Sequence, residues 1–338
     1  MKKAVITGKQ RTEIVEAADP VAKEDWAVVK VHVAPMCTEY KLFRDGHANA
    51  YLGHEAVGEV VEVAQPGRVA LGDRVAVMPL YPCGKCALCL AGDYIHCQHM
   101  VDVEAFTGSK EGSATYCQYV IKPDWLLAPI PDGVSYEHGG MACCGLGPTF
   151  GACELIMPDG FDTVLITGLG PVGLGGVINA RYRGARVIGV DANPYRADLA
   201  VRLGAQTVLN PADADVLDQL RALTDGLGVT AAIDCSGVAE AQRLCIDALR
   251  RKGRMAFVGE SGDLTITVSD DLLRKKLTLY GSWHYNLAGT PRIMRVIQDR
   301  ADDLDTLITH TFPLDQAQDA FELQLTGQCG KVLLKPWE

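Results

Sequence analysis

Four cysteines are crowded into one stretch of this 338-residue chain, Cys83-Gly-Lys-Cys86-Ala-Leu-Cys89 followed by Cys97, a C-x2-C-x2-C-x7-C spacing. Zinc takes four thiolates at tetrahedral angles, each about 2.3 Å away. Three thiolates two residues apart wrap a loop around one ion, and a fourth closes it. Such a set leaves no coordination position for a substrate, so the Zn2+ expected here is structural. An iron–sulfur cluster is the other metal reading, and four unrelated buried thiols the metal-free one. His96 and His99 flank Cys97 and could substitute as donors, but the spacing favours the cysteines. The chain has twelve cysteines in all. Disulfides are rare in a reducing cytosol, where clustered thiolates more often hold metal.

A second group of residues could hold an anion. The apolar run 163–167 enters Gly168-Leu169-Gly170-Pro171-Val172-Gly173, and a helical pattern continues to residue 182. Alone, G-x-G-x-x-G is weak, but here it follows a strand, opens a helix and precedes a second strand ending at Asp191. Gly168 and Gly170 permit a tight turn and the close approach of a pyrophosphate. Gly173 lets the helix pack on the sheet, and the helix N-terminus faces the anion. Asp191, 18 residues after Gly173, is placed to bind ribose hydroxyls and to repel a 2′-phosphate, so NAD is favoured over NADP. Arg196 lies nearby; it either weakens that preference or covers the adenine ring.

These residues need elements to carry them. Residues 26–33, 56–63 and 74–78 are short apolar stretches between glycine, proline and aspartate, and the first ~150 residues read as β-rich. From about residue 162, strand-length runs (163–167, 186–190, 207–209, 231–234, 254–258) alternate with helical patterns (172–182, 194–203, 216–223, 240–249). That alternation predicts a parallel sheet covered on both faces. Residues 330–334 read as an edge strand. A length of 338 residues suggests two domains, and 48% hydrophobic with 22% charged residues excludes a disordered chain or a coiled coil. The expected division is 1–152, 153–288 and a return to the first domain over 289–338. A net charge of −10 argues against nucleic acid. No apolar run approaches a membrane span, and Ala4-Val5-Ile6 is too short for a signal peptide, so a cytoplasmic protein with no membrane partner is expected.

With zinc and a dinucleotide both implied, an open metal site becomes the question. Cys37 follows a strand, Gly53-His54-Glu55 precedes one, and Cys143-Cys144 falls just before the glycine turn. With these motifs, the four-cysteine loop, the turn with Asp191 and the closing Gly330-Lys331-Val332, the chain resembles the zinc-dependent medium-chain alcohol and polyol dehydrogenases along essentially its whole length. The resemblance implies an α/β protein with a GroES-like β-rich catalytic domain, a doubly wound Rossmann domain and an active site in the cleft between them. It implies that Cys37, His54 and a third residue bind a catalytic Zn2+, giving two per chain, with water or substrate as the fourth ligand. The third ligand stands eight residues before the alanine of a Gly-Ala pair; counting back from Ala152 reaches Cys144, with Cys143 as the alternative. Glu55 reads as a neighbour able to approach the metal transiently. The resemblance also implies a homodimer or homotetramer.

One segment departs from the family. Relatives continue the first cysteine as Gly-Ser/Thr-Asp-x-His, whereas this chain reads Cys37-Thr38-Glu39-Tyr40-Lys41-Leu42. Aligned without a gap, the hydroxyl position is Glu39 and the histidine position Leu42. With one residue deleted, Thr38 supplies the hydroxyl and Glu39 the acid that orients His54. The second alignment is chemically preferable, because a metal-bound imidazole is usually held by a carboxylate or carbonyl. Thr38, Tyr40 and His47 are the candidates for carrying a proton outward. Trp283-His284-Tyr285-Asn286 falls where relatives line the nicotinamide end or the subunit interface; Glu154 and His138 are ambiguous. The expected activity is NAD-linked oxidation of a secondary alcohol on a polyol, sugar or cyclitol to a ketone, acting on a small-molecule alcohol or carbonyl. A simple primary alcohol or aldehyde is the nearest alternative. A zinc-free NADPH quinone or enoyl reductase and a non-catalytic relative are the remoter ones.

Overall fold

The computed structural model describes all 338 residues. A hairpin of β1 (Lys2–Gly8) and β2 (Arg11–Glu16) opens the chain. There follow β3 (Trp26–Pro35), β4 (Ala56–Glu62), β5 (Arg74–Val77), β6 (Tyr119–Pro123) and β7 (Leu127–Pro129). Next come β8 (Thr163–Thr167), β9 (Arg186–Val190), β10 (Thr207–Leu209), β11 (Val229–Asp234), β12 (Leu249–Phe257) and β13 (Thr278–Gly281). The chain closes with β14 (Ile308–Pro313) and β15 (Lys331–Lys335).

Two compact units divide these elements: Met1–Gly145 with Asn286–Glu338, and Leu146–Tyr285. In the first, one sheet runs β14-β15-β3-β4-β5-β7, with β6 also paired to β3. Apart from the parallel β14–β15 pair, its neighbours are antiparallel. Val29, Val31, Val60, Val75 and Val77 build its core with Phe43, Tyr116 and Phe321, all almost fully buried. In the second unit every strand is parallel, in the order β10-β9-β8-β11-β12-β13. Counted within the unit this is 3-2-1-4-5-6, the doubly wound order. Its central strands β8 and β11 are buried at every position, as a sheet covered on both faces requires.

Three expectations need correction. Strand β15 is no edge, because β14 pairs along one side of it and β3 along the other. The first domain boundary falls at Gly145/Leu146 rather than 152/153. Asn179, on the helix Pro171–Tyr182, donates through Nδ2 to Leu146 O and Thr149 Oγ1, both at 3.0 Å, and so ties the start of the helix Gly147–Ile156 to the parallel-sheet unit. The return begins at Asn286 rather than 289, since Asn286 Nδ2 donates to Ala91 O at 2.7 Å and Asp93 Oδ1 at 2.8 Å in the first unit.

Candidate metal centres and dinucleotide groove

Cys83, Cys86, Cys89 and Cys97 bring their sulfurs within 4.8 Å of one another. The Cys86–Cys89, Cys86–Cys97 and Cys83–Cys97 separations are 3.5, 3.8 and 3.6 Å. Four thiolates at about 2.3 Å from one tetrahedral ion would stand about 3.8 Å apart, so the donor set fits zinc. The amides of Cys83 and His99 each donate to Cys97 Sγ at 3.3 Å. The side chains of His96 and His99 lie outside the donor set, on exposed residues.

The second cluster is Cys37, His54, Glu55 and Cys144, again with donor atoms within 4.8 Å. Cys37 leaves β3 where Met36 N donates to Val332 O at 2.8 Å. His54 stands just ahead of β4, held from behind: the amides of Thr115 and Tyr116 both donate to Leu52 O. Gly53 has φ +85°, and a Cβ there would meet Tyr116 Cδ1 at 2.3 Å, so only glycine fits. Cys144 follows the turn Gly140–Ala142, and its amide donates to Glu55 Oε2 at 3.0 Å.

His54 Nε2 faces Cys144 Sγ at 3.3 Å. Donors of these types on one zinc would stand about 3.6 Å apart. Cys143 turns away: its thiol is fully buried against Val77 O at 3.4 Å, and burial pushes it well up. Of the adjacent pair, Cys144 is the one that lies in the donor cluster. Glu55 is fully buried and committed elsewhere, its Oε1 accepting from Lys331 Nζ at 2.7 Å. Burial pushes its carboxyl up to about 7, against the pull of Lys331. That leaves two thiols and an imidazole as available donors, a set that keeps one position of a tetrahedral metal open.

Their electrostatics suit a cation. A hydrogen bond from Cys144 holds the Cys37 thiol well below its usual range despite burial, and the same bond drives Cys144 well above. Burial disfavours charge on His54, but hydrogen bonds with Cys37 and Glu39 overcome this and raise it to about 11. The protons held on Cys144 and His54 are ones that a divalent cation would displace on binding, and Cys37 offers a thiolate already. Behind the ring, His54 Nδ1 and Glu39 Oε1 are 2.7 Å apart, which leaves Nε2 to face the sulfurs. The gapped alignment thus describes the geometry, with Glu39 as the acid.

The remaining candidates scatter. Thr38 is exposed beside Cys37, Tyr40 begins the helix Tyr40–Asp45 half-buried, and His47 is exposed beyond that helix. Glu154 pairs with Arg183, and His138 Nε2 meets Asp305 Oδ1 at 2.7 Å, so each has a partner outside the cluster. Trp283 is half-exposed, whereas His284 is buried in the second unit, its carbonyl over Gly151 and its ring stacked on Tyr285. Two contributors escaped sequence reasoning, Tyr116 and Lys331. Lys331 lies in a motif that carried the resemblance, but its partner is 276 positions away. Nothing local marks Tyr116.

In the second unit, Gly168 has φ +78° and packs against Ser236, while a Cβ on Gly173 would lie 1.9 Å from Gly168 O. A Cβ on Gly170 would meet nothing within 4 Å. Gly170 caps the helix Pro171–Tyr182, so open space lies at a helix N-terminus, where Val172 follows in its first turn. Beside the turn lies a groove of about 700 Å³, lined by Gly168, Asp191, Ser236, Glu240 and Arg243 among others. Asp191 accepts from the amides of Leu169 at 2.6 Å and Asn193 at 2.8 Å, which fixes its carboxylate at the groove. Arg196 is not among the groove's lining residues. The glycines, helix terminus and carboxylate fit a dinucleotide.

Fold and site together define a metal-dependent dehydrogenase architecture, and the comparisons give it a family. Residues 23–132 match the alcohol dehydrogenase GroES-like domain, and residues 171–299 match the zinc-binding dehydrogenase domain. An L-threonine 3-dehydrogenase of Pyrococcus horikoshii is 33% identical, over 83% of this chain and 80% of its own. The sorbitol dehydrogenase of Bacillus subtilis is 29% identical over 99% and 97%. Among solved structures, an Escherichia coli CFT073 alcohol dehydrogenase, RspB, in complex with NADH superposes with a TM-score of 0.85 at 25% identity, covering 99% of each chain. The chain belongs to the zinc-type medium-chain alcohol and polyol dehydrogenase family. No helix is long and apolar enough to cross a membrane.

Proposed function

We propose that this protein is an NAD-linked zinc dehydrogenase that oxidises a secondary alcohol of a polyol, sugar or cyclitol to a ketone. The observation that carries the reading is the carboxylate-backed imidazole facing two cysteines: Glu39 behind His54, with Cys37 and Cys144 in front. In this reading Cys37, His54 and Cys144 hold the catalytic metal, and Cys83, Cys86, Cys89 and Cys97 hold a structural one. Zinc bound by the first set would supply Lewis acidity toward a hydroxyl oxygen. NAD in the groove would supply the hydride acceptor.

The chain's own residues do the rest. Glu39 fixes the tautomer of His54, and Lys331 neutralises Glu55 so that a second carboxylate can stand beside the thiols. Thr38, exposed next to Cys37, is the candidate for passing a proton to water. Support for NAD comes from Asp191, Glu240, Asp247 and Asp263 on the groove, where the one cation, Arg243, is already paired with Asp247 and Asp271. A 2′-phosphate would meet net negative charge there.

The test is metal analysis followed by NAD and NADP reduction over polyols, cyclitols, L-threonine and simple alcohols. Two zinc ions per chain and turnover of polyols with NAD are expected. Turnover confined to L-threonine or ethanol-like alcohols overturns the substrate class, and a zinc-free active preparation overturns the mechanism.

A further inference from the structure

Tyr116 is fully buried and belongs to no catalytic motif, yet it touches two of the three ligand-bearing segments of the Cys37–His54–Cys144 cluster, those of Cys37 and His54. Its hydroxyl donates to Glu39 Oε2 at 2.9 Å, and Glu39 uses its other oxygen on His54 Nδ1. The same phenol oxygen accepts from the amide of Cys37 at 3.2 Å. Its ring lies where a side chain on Gly53 would be, and its amide donates to Leu52 O at 2.9 Å. One residue therefore fastens the turn that carries Cys37, the turn that carries His54, and the carboxylate between them.

We propose that Tyr116 is a positioning residue for the catalytic metal, acting through its hydroxyl on Glu39 and on the Cys37 backbone. The ring by itself would only fill space, against Phe321 at a centroid distance of 6.2 Å. The hydroxyl does more, because Glu39 is buried and each of its oxygens needs a donor. Without it, Glu39 keeps the imidazole and its own backbone amide but loses the donor on Oε2. The Cys37 amide is left without its acceptor. Both changes loosen donors that a tetrahedral ion requires within a few tenths of an ångström. The four-cysteine loop shares none of these contacts.

The inference rests on the metal assignment proposed above, and the experiment separates the two. Tyr116→Phe keeps the ring and removes only the oxygen. Zinc retention is measured by chelator competition, and cobalt-substituted protein is read by its visible absorption. The wild-type chain is expected to hold two metals; in Tyr116→Phe the weaker-held one is lost about 10- to 100-fold more readily, the usual effect of removing a group that orients a metal ligand. The four-thiolate metal stays, which also reports that the chain is folded. In a Glu39→Gln background the same substitution should cost less. If wild type binds a single metal, the metal assignment fails. If wild type binds two and Tyr116→Phe holds both with unchanged affinity and an unchanged cobalt spectrum, the role of Tyr116 fails. Equal losses from both sites would also overturn it, because that pattern marks a general packing defect.

Discussion

Two lysines are almost completely buried in the first unit, and their surroundings pull them in opposite directions. Lys122 meets only the Leu80 carbonyl, at 2.6 Å, and the face of Tyr81, and burial pushes it down to about 7. Burial acts on Lys331 too, but Glu55 at 2.7 Å outweighs it and holds the ammonium above its usual range. A carboxylate is the difference. Removing one partner of a buried ion pair leaves the other charge uncompensated, at about 3–5 kcal/mol. Lys331→Met should therefore destabilise the protein by about that amount in urea unfolding. Lys331→Met with Glu55→Gln should recover much of it, because the amide oxygen can still accept the Cys144 N–H. Equal losses in the single and double variants would mean that packing of the lysine stem, not charge, is what matters. Such pairings were not legible in the sequence. Cys37, His54 and Cys144 stood out because metal donors are few and family motifs mark them. Lys331 and Tyr116 work through contacts whose partners are far along the chain.

At the scale of elements, legibility followed hydrophobic pattern. In the second unit β12 begins at Leu249, five residues before the run read at 254–258, but β8, β9 and β10 were visible to the residue and β11 to within two, since a sheet buried on both faces must be written as unbroken apolar runs such as Val164-Leu165-Ile166. Strand β13 and the π-helix Val268–Arg274 before it were not, being short, half-exposed and interrupted by Arg274-Lys275-Lys276. The position of β15 inside its sheet was also hidden, because pairing partners are a property of topology and not of a five-residue segment. The glycine turn was legible as a motif, and the structure divides its labour. Gly173→Ala drives a methyl into Gly168 O and should destabilise the fold, whereas Gly170→Ala meets no protein atom and has an ordinary φ of −64°. Gly170→Ala should melt at the wild-type temperature yet bind NADH more weakly, seen by fluorescence titration. Unchanged NADH affinity would mean that no ligand phosphate approaches that carbon.

At the scale of the whole molecule, the chemistry is divided between the units. All seven donor residues of the two candidate metal sets, and Glu55 beside them, lie within Met1–Gly145, and every residue lining the groove lies within Leu146–Tyr285. The groove is built from a glycine turn, a helix terminus and Asp191, whose carboxylate is fixed by the amides of Leu169 and Asn193 in its own unit. None of these depends on a thiolate. Metal and dinucleotide should therefore bind independently, although turnover needs both. Stripping metal with a chelator is expected to abolish alcohol oxidation while leaving the NADH titration curve unchanged. Zinc added back should restore turnover without shifting that curve. If NADH binding disappears along with the metal, the groove cannot be a self-contained property of the parallel-sheet unit, and its architecture must rest on donors from the other.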